Sequence, residues 1–474
     1  MEKRFLFLGT LLLLFGSVIY AREDAVKRFL DTNGFQHASV GISVVRLSDG
    51  KSVVEHNPQI ALIPASTQKV ITTASALRLL GDTYRIKTTV GYSGKIENGI
   101  LKGDLIIRGG GDPSLGSKYA GRPKEAFFEE LTATVKKAGI IKIDGDIIGD
   151  ESVMNTEGIA PGWSWEDMGN YYAAGIYGLN YNDNLYELIL DTAVKGVRPR
   201  IKTIRPDIPG LQIVNALLPG ATAYDSAYLY GAPFSNERFL YGAVPQNKNE
   251  FMIRGDLPEP ALQTAQLAGS RLRSQGVAWT GQPRSGRLLQ IAGQHIPVMD
   301  TPLFTFLSDP LSRLVRQTNV YSLNLFAEGI LRQIGLLKNA PSVQGGVRTA
   351  LNYWESQGLK TDGLFLYDGS GLSPANRVTA GFLTQLMVRM KDVPAFVSSL
   401  PLAGSEGTVG SFLSTTPYKG KARLKSGTIK QVIGYTGYID GRERYAVTVL
   451  VNNATCNNRE VRRAIEKLFT EMNL

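Results

Sequence analysis

One stretch of this sequence, residues 64–69 (PASTQK), limits the fold and chemistry of the chain more than any other. Pro64 interrupts the preceding segment, and Gly81 ends the run that follows. Between them, apolar residues recur at helical spacing, at Val70, Ala74, Leu77 and Leu80. The pattern predicts a helix with Ser66 at its N-terminus, where unpaired backbone N–H groups and the positive end of the helix dipole favour a developing negative charge.

Lys69 follows Ser66 by three residues, which places its amine on the same helical face and within reach of the Ser66 hydroxyl. A serine hydroxyl is a good nucleophile only when a base removes its proton. A lysine is such a base only when burial or nearby positive charge lowers its pKa. A serine before an apolar helix is also a common N-cap, and Ser-x-x-Lys occurs by chance in chains of this length. The stretch alone therefore fits both a catalytic pair and an ordinary helix start.

Residues 1–21 predict a cleaved export signal. A charged start at residues 2–4 precedes an almost wholly apolar run over residues 5–15, and Ala21 offers a small residue for cleavage. The apolar run is short for a membrane span, and an uncleaved N-terminal anchor is the alternative. We therefore expect an exported, periplasmic protein. Its net charge of +10 fits peripheral contact with anionic envelope polymers or lipid headgroups, and equally a solvated surface without a partner.

The composition favours a multidomain protein without a metal or a cofactor. Without the first 21 residues, 453 of the 474 remain, enough for two or three domains. Three histidines and a single cysteine, Cys456, leave too few ligands for a zinc cluster and allow no internal disulfide. The glycine run at residues 109–111 lacks the Lys-Ser/Thr of a phosphate-binding loop and predicts a turn. No stripe of basic and aromatic residues indicates nucleic acid.

Hydrophobic periodicity outlines the helices and strands. Helices are predicted over residues 22–30, 123–138, 258–275, 304–318, 322–334 and 459–472. Strands are predicted over residues 39–47, 51–55, 86–90, 101–107, 140–148, 422–428, 433–440 and 445–452. Residues from about 180 to 255, rich in Gly, Pro, Asn and Tyr, predict a β subdomain or a long excursion.

Two further short motifs carry side chains suited to catalysis. A Ser-x-Asn motif at residues 322–324 begins a predicted helix, and Lys-Ser-Gly at residues 425–427 lies on a late predicted strand. Ser322 could cap its helix, or relay a proton while the Asn324 amide holds a substrate carbonyl. On an edge strand, Lys425 could bind a carboxylate.

Residues 161–168 (PGWSWEDM), followed by two tyrosines, form a third notable segment. Two tryptophans beside Glu166 and Asp167 could bind the apolar stem and the cation of a ligand. The same residues also fit a packed aromatic loop.

The Ser-x-x-Lys, Ser-x-Asn and Lys-Ser-Gly motifs, in this order, resemble those of penicillin-binding proteins and serine β-lactamases. Residues 64–69, 109–115, 161–168 and 368–373 more narrowly resemble the low-molecular-mass class C penicillin-binding proteins, the D-alanyl-D-alanine carboxypeptidase/endopeptidase family (DacB, PBP4-like, peptidase S13). The long separation of Ser66 from Ser322 also resembles that family, in which a large two-part insertion lies between the first and second motifs. A β-lactamase has no room for such an insertion.

The resemblance implies a role for each motif residue. Ser66 would be the acylated nucleophile and Lys69 its proton acceptor, while Ser322 and Asn324 would complete the proton relay and hold the substrate. A further set would bind the substrate carboxylate, namely Lys425, Ser426 and Gly427.

Two more features follow from the resemblance. The backbone N–H groups of Ser66 and Thr428 would form the oxyanion hole. Asp167 and Tyr172 would form the pocket for the side chain of the stem peptide, where a carboxylate suits the free ammonium of diaminopimelate.

The implied fold is α+β and multidomain. A β-lactamase/transpeptidase-like domain, with an antiparallel sheet flanked by helices, would comprise residues 22–85 and 288–474. A mostly β insertion would comprise residues 86–180 and 256–287, with a nested β subdomain at residues 181–255.

The implied activity is that of a serine D-Ala-D-Ala carboxypeptidase/endopeptidase, acting on peptidoglycan stem peptides and cross-links and acylated by β-lactam antibiotics such as penicillin. The alternatives are a β-lactamase or esterase of the same fold, and a non-catalytic envelope binding module. The sequence leaves open the oligomeric state and the balance between the two peptidase activities.

Overall fold

The protein is described by a computed structural model that covers residues 21–154, 157–219, 222 and 224–474. The predicted export signal, apart from Ala21, lies outside the described residues. No helix in these ranges is both long enough and apolar enough to cross a membrane. The chain divides into two compact units. The first runs up to Asp82 and adds Val315–Leu323 and Val347–Leu474, and the second comprises Thr83–Leu314 and Asn324–Gly346.

This division assigns residues 288–314 and 324–346 to the second unit. The three-part division expected from the resemblance stays a prediction.

The helices of the described ranges are α1 (residues 21–30), α2 (Lys69–Leu79), α3 (Ala126–Lys137), α4 (Pro260–Ser274), α5 (Gly286–Ile291), α6 (Leu311–Tyr321), α7 (Asn324–Leu336), α8 (Val343–Ser356), α9 (Ala380–Met390), α10 (Pro394–Ser399) and α11 (Asn458–Met472). The strands are β1 (Ser39–Arg46), β2 (Ser52–His56), β3 (Ala61–Leu62), β4 (Lys87–Tyr92), β5 (Lys95–Glu97), β6 (Ile100–Lys102), β7 (Leu105–Arg108), β8 (Lys142–Ile143), β9 (Ile147–Asp150), β10 (Leu185–Thr192), β11 (Arg200–Arg205), β12 (Gln212–Leu217), β13 (Tyr228–Tyr230), β14 (Glu237–Gly242), β15 (Lys248–Asp256), β16 (Ala278–Trp279), β17 (Pro283–Ser285), β18 (Thr301–Leu307), β19 (Val378–Thr379), β20 (Ala422–Ile429), β21 (Val432–Asp440) and β22 (Arg444–Asn452).

The first unit is built on an antiparallel five-stranded sheet in the order β2-β1-β22-β21-β20. Helices α1 and α11 pack on one face through a shared apolar core. The residues of α11 that periodicity predicts to face inward are all buried, namely Val461, Ile465, Leu468 and Phe469. On the other face, α9 is joined to the sheet by Thr384, whose hydroxyl donates to Thr448 Oγ1 at 2.9 Å. The predicted α+β fold, with an antiparallel sheet between helices, is confirmed.

In the described residues, the second unit contains four sheets, which pack on two of its apolar cores. A five-stranded sheet (β17-β9-β7-β4-β18) and a four-stranded sheet (β16-β8-β6-β5) share one core with α3 and α4. Two three-stranded sheets, β11-β10-β15 and β12-β14-β13, share the other. The predicted β character of residues 180–255 agrees with these last two sheets.

Two predicted strands are each broken in two. Residues 101–107 form β6 and β7, and residues 140–148 form β8 and β9, so that each segment passes from the four-stranded to the five-stranded sheet. A Cβ on Gly103 would lie 2.0 Å from the Ser93 carbonyl oxygen, and one on Gly145 would lie 2.2 Å from that of Gly103. The breaks therefore depend on backbone packing between segments that are distant in the chain. The alternation of apolar and polar residues along one strand does not predict such packing.

The helix predicted over residues 304–318 is wrong in its first part. Residues 301–307 form β18, which pairs antiparallel with β4, and α6 begins only at Leu311. Phe304 and Phe306 both pack on Phe127 of α3, with ring centroids 6.1 and 5.6 Å away. Because these two rings lie two residues apart, their contact with one partner favours a strand over a helix.

The predicted turn at residues 109–111 packs tightly against its surroundings. A Cβ on Gly109 would lie 2.2 Å from the Gly178 carbonyl oxygen. The turn leads into Asp112, which is buried and accepts hydrogen bonds from the backbone N–H and the hydroxyl of Ser114, at 2.8 and 2.6 Å. Burial raises the pKa of Asp112 to about 6. The folded chain therefore holds this proton more tightly than the unfolded chain does.

Replacing Asp112 with Asn should stabilise the protein at neutral pH. The unfolding free energy of the native chain falls as pH rises from about 4 to 6, because unfolding then releases the proton that the folded state retains. A shift of about 2 units corresponds to about 3 kcal/mol as an upper value. Asp112→Asn should recover much of this at about pH 7.5 and little at about pH 4, as measured by urea unfolding at both pH values.

Asp144→Asn is the control, because ion pairing with Lys102 lowers the pKa of this exposed carboxyl. Asp144→Asn should lower the unfolding free energy at about pH 7.5, the opposite of the effect of Asp112→Asn. A gain for Asp112→Asn that does not change with pH would contradict the assignment.

Candidate active site

Ser66 lies in a 3-10 turn, Ala65–Gln68, immediately before α2. The α-helix was expected to begin at Ser66, and it begins three residues later, at Lys69. Ala65 has a φ of +46°, a left-handed conformation that costs roughly 1–2 kcal/mol for a residue with a Cβ. The Thr67 hydroxyl donates to the Pro64 carbonyl at 2.6 Å and closes the turn.

Two glycines hold this turn from different sides. A Cβ on Gly427 of β20 would lie 2.6 Å from the Pro64 carbonyl oxygen and 2.9 Å from the Ser66 backbone nitrogen. A Cβ on Gly371, whose φ is +79°, would lie 1.9 Å from the Ala65 carbonyl oxygen. Neither position has room for a side chain, so β20 and the loop around Gly371 approach the turn as bare backbone.

The loop at residues 368–376 is organised by Asp368. Its carboxylate accepts from the backbone N–H groups of Gly371 and Ser373, both at 2.7 Å, and from the Asn376 side chain at 2.9 Å. The Gln68 side-chain amide donates to the same carboxylate at 3.0 Å. The dense polar turn seen in the sequence thus joins the nucleophile turn to a distant loop. No pattern in the sequence predicts this role.

The Lys69 amine lies 2.9 Å from the Ser66 hydroxyl oxygen and donates to the Ser370 carbonyl at 2.7 Å. Lys69 is fully buried, and α2 is buried on every side from Lys69 to Leu77. A lysine here is in the dry environment that its use as a base requires. The Ser370 carbonyl is a contact that the sequence analysis missed, since no side-chain motif signals a backbone acceptor.

Lys425 is also fully buried, and its amine donates to the Ser322 hydroxyl at 3.0 Å and to the Ser426 carbonyl at 2.8 Å. Burial, together with the nearby Lys69 amine, holds the pKa of Lys425 well below its usual range. Ser322 follows the end of α6 with a φ of +58°, a conformation in which its hydroxyl meets the Lys425 amine. Two positive charges close together are therefore disfavoured in this site.

A cleft of about 470 Å³ opens beside these groups. Its lining residues all belong to the first unit: Ser66, Ser322, Thr408, Ser426, Thr428, Ile433, Tyr435, Asn458, Arg459 and Arg462. The Ser426 hydroxyl donates to Thr408 Oγ1 at 2.7 Å. Sequence reasoning found Ser66, Ser322, Ser426 and Thr428. It missed the two arginines, because the amphipathic pattern of α11 shows which residues are polar and not what they face.

The remaining predicted residues lie in the second unit. The Tyr172 hydroxyl donates to Asp167 Oδ1 at 3.0 Å, and burial raises the pKa of both groups. Asn324 is the first residue of α7, and its side-chain amide donates to the Tyr172 carbonyl at 2.7 Å. The predicted Asp167–Tyr172 pair is thus in contact, and Asn324 adjoins it.

The first unit brings a serine hydroxyl, two buried amines and a second hydroxyl to one cleft. This arrangement suits nucleophilic attack on a carbonyl, with proton transfer along amines and hydroxyls. Within the ranges that the structure describes, no three His, Cys, Asp or Glu side chains are grouped to hold a metal ion. The fold and the cleft together define a serine hydrolase of the penicillin-recognising class.

The chain belongs to the D-Ala-D-Ala carboxypeptidase 3 (S13) family, whose pattern it matches over residues 23–472. It is therefore a serine-type D-Ala-D-Ala carboxypeptidase. Its sequence is 26% identical over 440 residues to the D-alanyl-D-alanine carboxypeptidase DacB of Haemophilus influenzae, covering 89% of this chain and 87% of DacB. It is 25% identical to a D-alanyl-D-alanine carboxypeptidase of an Actinomadura species, covering 91% of this chain and 80% of that protein.

Among solved structures, penicillin-binding protein 4 (dacB) of H. influenzae superposes with a TM-score of 0.81 at 23% identity, covering 94% of this chain and 98% of that one. A second structure of that protein, with a bound β-lactam, has a TM-score of 0.75. These likenesses confirm the fold predicted from the sequence.

Gly371→Ala should destabilise the protein more than an ordinary positive-φ glycine substitution does. The new Cβ would meet the Ala65 carbonyl oxygen at 1.9 Å. The matched control is Gly420→Ala, at a φ of +69° with nothing within 4 Å of the added Cβ, so that only the backbone conformation is penalised.

Gly420→Ala should cost roughly 1–2 kcal/mol, and Gly371→Ala about 1–3 kcal/mol more. Thermal unfolding of the two variants measures the difference. Equal losses would show that the 368–376 loop does not press on the Ser66 turn.

Proposed function

We propose that this chain hydrolyses the bond between two D-alanines at the end of peptidoglycan stem peptides, and D-alanyl cross-links, through an acyl-enzyme on Ser66. The observation that carries the proposal is the Ser66–Lys69 contact of 2.9 Å, made by an amine that is fully buried. Family membership supplies the substrate class.

In the first step, Ser66 Oγ attacks the carbonyl carbon of the penultimate D-alanine while its proton passes to the neutral Lys69 amine. The backbone N–H groups of Ser66 and Thr428 stabilise the negative charge on the carbonyl oxygen. Support for this placement is the close packing of β20 on the Ser66 turn at Gly427, which keeps the two backbones side by side.

In the second step, the C–N bond breaks and the leaving amine takes a proton through Ser322. That proton is the one that Lys69 accepted from Ser66, so Lys69 is again neutral when water attacks. The Lys425 amine contacts the Ser322 hydroxyl at 3.0 Å and orients it for this transfer. Water then attacks the ester and restores Ser66. A β-lactam forms the same ester by ring opening, and the enzyme stays acylated because the leaving amine remains attached.

The substrate is bound along the edge of the sheet. Strand β20 is the last in its sheet, and beyond the bridge between Leu402 and Arg423 no further strand pairs with it in the described residues. An extended peptide can therefore add to this edge. Lys425, Ser426 and Gly427 would receive its terminal carboxylate, and protonation of Lys425 on binding would provide the countercharge.

Asp167 and Tyr172 bind the diaminopimelate ammonium in this proposal, and Asn324 holds the peptide. The Tyr172 hydroxyl orients the Asp167 carboxylate, which leaves the second oxygen for a cation.

Two alternative functions can be distinguished from this proposal by measuring penicillin release, peptide hydrolysis and adduct formation. A β-lactamase or esterase of the same fold would release penicillin quickly and turn over peptides poorly. A non-catalytic binding module would form no adduct, an outcome that the contact of Ser66 with the buried Lys69 amine disfavours.

The proposal includes export to the periplasm, with cleavage near Ala21, and peripheral contact with the envelope. It also retains an insertion formed by residues 86–180 and 256–287, with residues 181–255 nested within it.

A fluorescent penicillin should label the wild-type protein on the peptide that contains Ser66. Ser66→Ala should reduce labelling by about 10³-fold or more, since the residual activity of such variants is very low. Gel fluorescence and mass spectrometry of the labelled peptide provide the measurement. Ser48→Ala, an exposed serine of the same unit, is the control and should label normally. An adduct mapped to any other serine would refute the assignment.

Asp167→Asn should slow hydrolysis of peptides with a free diaminopimelate amine by about tenfold in kcat/KM, the value of one hydrogen bond to a charged group. The amide oxygen can still accept from Tyr172, so only the charge is lost. Peptides with the amine acetylated should be hydrolysed as before.

Glu166→Gln removes the same charge from the adjacent residue and should leave both substrates unaffected. Equal slowing of free and acetylated peptides by Asp167→Asn would remove Asp167 from the binding pocket.

A further inference from the structure

The sheet β12-β14-β13 of the second unit has an aromatic solvent face. The side chains on its other face, including Leu217, Leu229 and Leu240, are buried in an apolar core. An ordinary half-buried sheet carries polar residues on its outer face. Here four of the exposed positions are apolar or aromatic, with exposures of 44% for Tyr228, 43% for Phe239, 47% for Tyr241 and 60% for Val214.

The register places these side chains together. Tyr228 lies opposite Tyr241, and Tyr230 lies opposite Phe239. Residues directly opposite in an antiparallel pair share a face. The rings of Tyr228 and Tyr230 are parallel within 6°, with centroids 6.2 Å apart. The ring of Trp165 contacts that of Tyr230 with centroids 4.7 Å apart and a tilt of 35°. Trp165 is 64% exposed. We call these five aromatic residues the aromatic platform.

The charges at its rim exclude one class of ligand. Glu237 lies on the same face of β14 as Phe239 and Tyr241, and Glu166 follows Trp165 in the chain and acts electrostatically on Tyr230. Although the chain carries a net charge of +10, acidic groups border the platform. A polyanion would be repelled there, whereas a neutral ligand with flat apolar faces would not.

The platform is continuous with the segment that carries Asp167 and Tyr172. The Asn170 side chain accepts a hydrogen bond from the Leu229 backbone N–H of β13 at 3.0 Å. A Cβ on Gly169 would lie 2.3 Å from the Leu229 carbonyl oxygen, so the two backbones are in direct contact. A polymer whose peptide reaches Asp167 would therefore extend its remaining part across or beside the platform.

We propose that the aromatic platform binds the glycan strand of the substrate polymer, as a row of N-acetylated hexosamine rings. The apolar C–H face of a pyranose ring stacks on an aromatic ring, and the tyrosine hydroxyls and tryptophan N–H at the ring edges offer hydrogen bonds to sugar hydroxyls and acetamido groups. This inference rests on the proposed function, because it assigns the second part of the same substrate.

The test compares two substrates and one inert ligand on the full chain. The substrates are a pentapeptide ending in D-Ala-D-Ala, with and without an attached N-acetylated disaccharide, and the ligand is the tetramer of N-acetylglucosamine. The wild-type protein should bind the tetramer in calorimetry and show a lower KM for the sugar-bearing substrate. The double variant W165A/Y230A should lose tetramer binding and raise that KM about tenfold, as truncating an aromatic hot spot does.

Several controls make the result specific. W165A/Y230A should leave kcat, the glycan-free peptide and penicillin labelling unchanged. Tyr230→Phe should retain tetramer binding because it keeps the ring. Phe365→Ala removes an exposed aromatic from the first unit and should change neither KM.

Three outcomes would overturn the inference: no tetramer binding by the wild type, an equal loss on both substrates, or a dimer in sedimentation velocity that W165A/Y230A dissolves, which would make the platform a contact between copies of the chain. Calorimetry with the tetramer does not depend on catalysis. A failure of penicillin labelling at Ser66 would therefore count against the proposed function only. Binding of the tetramer would still decide whether the platform binds glycan.

Discussion

The site depends on a backbone turn held between two other backbone segments. Gly427 and Gly371 bring strand β20 and the 368–376 loop so close to the Ser66 turn that neither position has space for a methyl group. This packing offsets the left-handed conformation of Ala65, which would be unfavourable alone. The hydroxyl of Ser66 is thereby positioned by main-chain contacts, which do not have the rotational freedom of side chains.

Burial of two lysines supplies the chemistry. Burying an ammonium group in a dry interior is costly unless the group is hydrogen-bonded. Lys69 and Lys425 reduce this cost by donating to the fixed carbonyls of Ser370 and Ser426. Burial lowers the pKa of Lys425, and Lys69, fully buried beside Ser66, lies in the dry environment that a lysine base requires. The polar cluster is thus coupled to the fold, because helix α2 must be enclosed on every side for the amines to stay dry.

Periodicity succeeded where one element meets one core and failed where segments change partners. The faces of α11 and the meander β20–β22 follow directly from alternation in the sequence. Residues 101–107 and 140–148 do not, because each is divided by a glycine packed on a remote backbone. Residues 301–307 were expected to be helical, yet pairing with β4 and contact with Phe127 place them in a strand.

The sequence by itself determined which reactive groups the site contains, because Ser-x-x-Lys, Ser-x-Asn and Lys-Ser-Gly depend on residue type and on local spacing. It also determined the α+β fold, through the family resemblance and the periodicity of long amphipathic segments. Only the tertiary structure decided that Lys425 meets Ser322, that Asp368 braces the Ser66 turn, and that five aromatic rings share one exposed face. These contacts join segments far apart in the chain, and their existence depends on strand register and backbone packing, which no local pattern encodes.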